Sequence, residues 1–99
     1  MRLRKWRVVQ YVKVIYSLDS PSQRTEYVLH VLRTWFLRRT AAERVVKLQN
    51  EHDCYVNQTL HIKRNVVQIG EWRLMLHDGL EQERASGMVK VRIGREWWR

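Results

Sequence analysis

Alternation of apolar and polar residues predicts a β-strand over residues 6–16. Most of the apolar residues here are β-branched, which favours a strand. One face would carry Val8, Val12, Val14 and Tyr16, and the other Arg7, Val9, Tyr11, Lys13 and Ile15. Because both faces are partly apolar, we expect this strand to lie inside a sheet.

The next segment has the sequence features of a helix that starts near Pro21. Ser20 is a suitable N-cap, proline is favoured at the first helical position, and Gln23 stands where a capping box places its reciprocal side chain. Apolar residues follow at the spacing i, i+3, i+4 and i+7, namely Val28, Val31, Leu32 and Trp35. This spacing predicts an amphipathic helix with Trp35 in the core.

A second capping box, Thr40-Ala41-Ala42-Glu43, predicts a shorter helix that runs to about Gln49 or Glu51. Ala42, Val45 and Val46 would face inward. Two consecutive helices of this kind would cover one side of a sheet.

The second half of the chain alternates in the manner of strands. A strand is expected over Tyr55–Lys63, followed by a tight turn near Arg64-Asn65. Val67 and Ile69 then share one parity, whereas Trp72 and Leu74 share the opposite one. One extra residue at Gly70-Glu71 reconciles the two parities, so we expect a β-bulge there.

The last third is predicted to contain a polar connection and a final strand. Asp78-Gly79 begins an acidic connection that extends through Gly87. Residues 88–93 then alternate, with Val89, Val91 and Ile93 inward and Lys90 and Arg92 outward.

The chain is therefore expected to be α+β and to form a single compact domain over residues 1–99. The predicted order is β-α-α-β-β-β, with one antiparallel sheet and two helices packed on one face. The other face would carry Arg73, Lys90 and Arg92.

Charge favours a polyanionic partner, RNA before DNA. Nineteen Lys and Arg against ten Asp and Glu give a formal charge of +9, and both ends of the chain combine arginine with tryptophan. Guanidinium groups bind phosphates bidentately, and indoles stack on bases. The expected nucleic-acid contacts are Arg2, Arg4, Lys5, Trp6, Arg7, Arg73, Lys90, Arg92, Arg95, Trp97, Trp98 and Arg99. Trp72, in contrast, lies on an apolar stripe and is expected in the core.

Other ligands find little support in the sequence. No apolar run approaches the ~20 residues of a membrane-spanning helix. His52, Cys54, His61 and His77 match no compact zinc motif, so no metal is expected. There is no glycine-rich phosphate cradle, and no cofactor is expected. Cys54 is the single cysteine of the chain, which fits a reducing intracellular compartment such as the cytoplasm or an organelle matrix.

Two stretches resemble the RelE/ParE toxin superfamily. Residues 67–76 are similar to its strand-turn-strand, an apolar-x-apolar-Gly-x-aromatic-Arg pattern, and residues 89–99 look like its last strand and Gly-x-Arg tail. The resemblance implies a compact fold that docks on RNA in the ribosomal decoding site. RelE members cut mRNA there by acid-base activation of a 2′-hydroxyl, whereas ParE members act on gyrase. In a RelE-like enzyme, Arg73 and Arg95 would stabilise the phosphate.

Three hypotheses follow for function. The first is a small, non-enzymatic RNA-binding protein that binds rRNA or mRNA, for example as a component of a ribonucleoprotein such as a ribosome. The second is a RelE-like, ribosome-dependent mRNA endonuclease. The third is an interaction subunit whose cationic ends bind an acidic protein.

Overall fold

The computed structural model describes residues 4–16, 23–53 and 58–98. These residues form six strands and two helices in a single sheet-based unit. In chain order the elements are β1 (Trp6–Tyr16), β2 (Arg24–Val31), α1 (Arg39–His52), β3 (Gln58–Ile62), β4 (Asn65–Leu76), α2 (His77–Ser86), β5 (Lys90–Ile93) and β6 (Glu96–Trp98).

The sheet has the strand order β3-β4-β1-β2-β5-β6. Strand β1 pairs antiparallel with β2 on one side and with β4 on the other. The prediction that the first strand lies inside the sheet is therefore confirmed. Strand β5 pairs parallel with β2, so the sheet is mixed and not wholly antiparallel.

The bulge predicted at Gly70-Glu71 is present in β4. Gln10 of β1 lies opposite Trp72, but Val12, two residues later, lies opposite Ile69. A Cβ on Gly70 would approach the backbone oxygen of Tyr11 to 3.2 Å, so glycine allows the two strands to come close at this point.

The two helices pack on opposite faces of the sheet. Gln10 donates from Nε2 to the carboxylate of Asp53, the residue that ends α1 (3.1 Å). The adjacent Tyr11 donates from its hydroxyl to Glu83 of α2 (3.2 Å). Neighbouring residues of a strand point to opposite faces, which we call the α1 face and the α2 face after the helix on each. The prediction that both helices pack on one face is therefore wrong, because each face carries one helix.

The core on the α2 face is built around fully buried aliphatic side chains. Val9 and Leu29 from the central strands meet Val91 of β5 and Leu80 of α2. Leu80 is the buried residue that anchors this helix, since the rest of α2 is largely polar. On the α1 face, Ala42 is buried, as predicted.

Asn50 of α1 contributes to the hydrogen bonding of β4. Among the described residues, β3 pairs with β4 between Asn65 and Ile69. Farther along β4, Asn50 accepts from the backbone N–H of Trp72 (2.8 Å) and donates to its carbonyl (3.2 Å). The helix side chain therefore satisfies both backbone groups of Trp72.

The helix predicted from Pro21 is wrong over its described part, because Arg24–Val31 form strand β2. The proposed cap Ser20-Pro21-Ser22 lies outside the described residues. Thr25, Tyr27 and Val28 favour a strand, and β1 offers a whole edge for pairing that an isolated helix would leave unsatisfied. Tertiary pairing thus prevails over the i, i+3, i+4 and i+7 spacing.

The predicted polar connection over residues 78–87 is also wrong, because it contains α2. Glu81, Gln82, Glu83 and Arg84 are good helix formers, and Asp78 in the first turn interacts favourably with the helix dipole. Leu80 is the buried residue of this helix, and one apolar residue does not form an amphipathic stripe. The sequence pattern therefore did not predict the helix. The tail after Gly94 forms the additional strand β6.

The α+β class, with one sheet and two helices, is confirmed, whereas the predicted order β-α-α-β-β-β becomes β-β-α-β-β-α-β-β. Helix α1 is the predicted shorter helix, and it begins one residue before Thr40. Arg38 occupies its N-cap and makes no side-chain capping bond.

Candidate nucleic-acid interface

One end of the sheet gathers cations from both terminal regions of the chain. Strand β1 begins there, and β2, β4 and β5 end there. The backbone N–H of His77 donates to Lys5 (2.9 Å), and that of Gly94 donates to Val31 (2.9 Å). We call this surface the basic end, and its exposed cations are Arg4, Lys5, Arg33, Arg38, Arg39 and Arg95.

The basic end has few acidic residues. Residues 4–7 and 27–42 contain no Asp or Glu, whereas Glu96 follows Arg95 directly. Among the residues that the structure describes, Glu43 is the carboxylate that forms an ion pair with these cations, and it binds Arg39 (2.9 Å). Cations therefore outnumber carboxylates on this surface.

Two tryptophans belong to the same surface. Lys5 Nζ lies 4.8 Å from the ring centre of Trp35, and the Arg39 guanidinium lies 5.4 Å from that of Trp6. Trp35 is 44% exposed, so the prediction that it lies in the core is wrong. The reason is the strand β2, which places Trp35 in the connection to α1 and not on a helix stripe.

Arg7 is not part of this exposed surface. It points to the α2 face and is 5% exposed, with Nη2 donating to the carbonyl of Leu32 (3.2 Å) and Nε without a hydrogen-bond partner among the described residues. Burial lowers the pKa of the Arg7 guanidinium. Arg7 is therefore buried and not exposed with the other cations, and its predicted phosphate contact stays a prediction.

Arg73 does not share a surface with Lys90 and Arg92, contrary to the prediction. Arg73 lies opposite Val9 on the α2 face, 3.9 Å from Glu71. Lys90 and Arg92 lie opposite Val28 and His30, which share the α1 face with Gln10. The prediction placed both helices on one face of the sheet. The opposite face was then expected to carry Arg73, Lys90 and Arg92 together.

Lys90 is engaged with Glu26 on the neighbouring strand. Hydrogen bonds from Lys90 and from the Tyr16 hydroxyl lower the pKa of the Glu26 carboxyl. The bond to Glu26 in turn raises the pKa of Tyr16. Lys90 is thus partly neutralised within the protein.

Arg92 and Trp97 form a second pair of cation and indole. The guanidinium lies 5.6 Å from the ring centre of Trp97, which is 48% exposed. Burial, and then the charge of Arg92, lower the pKa of His30 beside them.

Trp98 is held between other side chains. Its ring stacks on His77 at a centroid distance of 5.6 Å, and Arg84 lies 4.2 Å from its centre. Trp98 is half-buried, so it offers less stacking surface than Trp97. Arg2 and Arg99 lie outside the described residues.

The two arginines expected in a RelE-like site are far apart. Arg73 of β4 lies three strands away from Ile93 of β5, and Arg95 follows in the next turn. Three strand spacings correspond to about 14 Å. Arg73 and Arg95 are therefore not neighbours in the sheet, and their RelE-like role stays a prediction.

The structure also separates the candidate metal ligands. His52, His61 and His77 lie on α1, β3 and α2, and Cys54 lies outside the described residues. Within the described ranges, no three His, Cys, Asp or Glu side chains are grouped to hold a metal ion. Neither described helix is long and apolar enough to cross a membrane.

Sequence reasoning missed Arg33, Trp35, Arg38 and Arg39 as site residues. The first three were placed on or beside a predicted helix. A usable signal was nevertheless present, because this arginine- and tryptophan-containing stretch lacks acidic residues from position 27 to position 42.

Comparison with protein-family models, curated proteins and solved structures finds no match for this chain. The resemblance to the RelE/ParE superfamily stays a prediction based on residues 67–76 and 89–99.

Proposed function

We propose that this protein binds single-stranded RNA through its basic end and does not cleave it. The observation that carries the proposal is the convergence of exposed cations from residues 4–5, 33–39 and 95 beside Trp6 and Trp35. Phosphates would interact with the cations, and unpaired bases would stack on the indoles.

The composition of the surface favours a nucleic acid over an acidic protein. Carboxylates of a protein partner would use the cations but not the exposed ring of Trp35. Single-stranded RNA uses both, because splayed bases stack on aromatic side chains while the backbone follows the positive charge. Cleavage is not part of the proposal, since two strands lie between β4, which carries Arg73, and β5, which precedes Arg95.

Salt dependence tests the proposal first. With four to five phosphate contacts, the logarithm of the association constant should fall with the logarithm of salt concentration at a slope of about −3. Fluorescence anisotropy of a labelled oligonucleotide of roughly ten nucleotides measures this slope. A flat response would contradict the proposal.

Two double variants locate the contact. Arg33→Gln with Arg95→Gln should weaken RNA binding by about tenfold and reduce the salt slope by about 1.4. Lys47→Gln with Lys63→Gln removes the same charge from exposed positions on α1 and in the β3–β4 turn, and should change affinity less than twofold. Equal losses in the two variants would show that net charge, and not the basic end, determines binding.

Competition separates the alternative partners. Unlabelled single-stranded RNA should displace the probe, whereas polyglutamate of equal charge should displace it at least tenfold less effectively, because polyglutamate has no bases to stack. Stronger displacement by polyglutamate would favour the acidic-protein hypothesis. Shortening of the RNA during the assay, with or without ribosomes, would favour the nuclease.

A further inference from the structure

A cleft of about 450 Å³ opens beside the β5–β6 pair, away from the basic end. It lies where the C-terminal part of α2 approaches the beginning of β5 and the end of β6. Its lining residues are Arg84, Val89, Lys90, Val91, Trp97 and Trp98. Its volume lies within the range of small-molecule sites, which is about 300–1,000 Å³.

The aromatic part of the cleft contains one fixed indole and one accessible indole. Trp98 is held by His77 and Arg84. Trp97 is 48% exposed, with Arg92 on its ring. Trp97 can therefore stack on a planar ligand without displacing a core contact.

The charges of the lining favour an anion. Lys90 and Arg84 are cationic, Arg84 being engaged within the protein, and none of the described lining residues is a carboxylate. Arg92 is close, although Glu26 partly neutralises Lys90. Val89 and Val91 add an apolar wall. A planar, partly apolar group that carries a negative charge matches all of these features, and a nucleotide is such a group.

We propose that this cleft binds one nucleotide, with its base stacked on Trp97 and its phosphate beside Lys90, which lies with Trp97 on the α1 face. This inference rests on the proposed function, since the nucleotide would belong to the RNA strand held at the basic end. Strand β5 connects the two surfaces: its four residues, Lys90 to Ile93, span about 10 Å, and Arg95 follows in the next turn. The cleft would thus hold one unpaired base while the basic end holds neighbouring phosphates.

Titration with AMP tests the cleft independently of the basic end. We expect saturable shifts of the Trp97 indole N–H resonance in NMR spectra, which Trp97→Phe identifies by removing that signal. Ribose 5-phosphate and inorganic phosphate carry the charge without the base and should bind at least fivefold more weakly. Equal binding of these probes would overturn the proposed stacking.

Variants provide the second test, with AMP affinity measured by calorimetry. Trp97→Ala should weaken AMP binding about tenfold, whereas Trp97→Phe should retain it within threefold because a phenyl ring still stacks. Leu48→Ala, which removes an exposed apolar side chain of α1 outside both surfaces, should leave AMP binding unchanged. Unchanged AMP affinity in Trp97→Ala, with native circular dichroism, would overturn the inference.

The two proposals fail in distinguishable ways. RNA binding that depends on Arg33 and Arg95, without any AMP binding, would remove the cleft and leave the proposed function. Saturable AMP binding without RNA binding would remove the proposed function, and with it the assignment of the nucleotide to a bound strand.

Discussion

Arg7 brings a positive charge into the interior at the start of β1. Its Nη2 bond to Leu32 leaves Nε unsatisfied, and no described carboxylate forms an ion pair with it. A buried cation of this kind loses its hydration without receiving the attraction of a counter-ion. Its position in the fold is therefore maintained by the apolar residues around it and not by its charge.

Replacement of Arg7 by methionine should stabilise the protein. We expect Arg7→Met to raise the free energy of unfolding by about 1 kcal/mol, because a side chain of similar length then fills the site without a desolvated charge. Urea denaturation measures the change. RNA affinity should stay within twofold of the original, since Arg7 is buried. A loss of stability would show that the charge has a favourable partner.

Glu26 should make stability depend on pH at the acidic side. Its pKa is lowered in the folded state, so its contribution is present above the ordinary value of 4.5 and is lost as pH falls through the folded pKa. The free energy of unfolding should therefore decline below about pH 4.5, and less steeply in Glu26→Gln.

Tyr16 extends the same prediction to alkaline pH. The pKa of Tyr16 is raised in the folded state, so Tyr16 contributes to stability below its ordinary pKa of 10.0. This contribution is lost as pH rises through the folded pKa. Glu26→Gln should weaken this dependence too, because it replaces the charged acceptor of the Tyr16 hydroxyl by a neutral one. Denaturation at a series of pH values tests both sides. Glu43→Gln, which removes an exposed carboxylate from a surface ion pair, is the control.

At the level of elements, α2 is short and its ending depends on backbone conformation. Gly87 terminates the helix in the left-handed region at φ 70°, with its N–H donating to Arg84. Glycine adopts this conformation at little cost, whereas a Cβ strains it.

Two glycine-to-alanine changes in α2 should have opposite effects. Gly87→Ala should lower the free energy of unfolding by about 1 kcal/mol through strain, although its Cβ would meet nothing within 4 Å. Gly79→Ala should raise it by about 0.5 kcal/mol, because alanine is the better helix former and the nearest atom belongs to the flexible Met75 side chain. Thermal or urea denaturation distinguishes the two signs. If both variants changed the free energy of unfolding in the same direction, helix propensity and backbone strain would not explain the stability of α2.

The predictability of each element follows from where its stabilising contacts lie. Strand β1, the bulge at Gly70 and helix α1 were predicted, because their parity, glycine and apolar spacing are local. Strand β2 was not, since its hydrogen bonds come from β1 and β5. Helix α2 depends on the burial of Leu80 against distant strands, which no local pattern records.

The same argument applies to the candidate site. The terminal cations Arg4, Lys5 and Arg95 were identified by their charge alone. The grouping of Arg73 with Lys90 was wrong, because the face of a strand residue depends on which helix covers that face. Whether two cations meet is thus a property of the tertiary fold.

At the scale of the molecule, the protein is long and thin. Its principal extents are 52 × 31 × 18 Å, which fits one twisted sheet with one helix on each side. The basic end and the cleft at β5–β6 lie at the two ends of the short strand β5, so a flexible strand of nucleic acid can contact both along this edge of the sheet.

The central position of β1 also determines how the chain must fold. Its partners in β2 are near in sequence, but its partners in β4 are about 50 to 70 residues away, and ordering that loop is slow. We expect refolding on the millisecond-to-second scale in stopped-flow fluorescence, whereas a microsecond phase that completes folding would contradict this. Until β4 docks, one side of β1 presents unpaired N–H and C=O groups to any neighbouring chain. The yield of refolded monomer should consequently decrease as protein concentration rises.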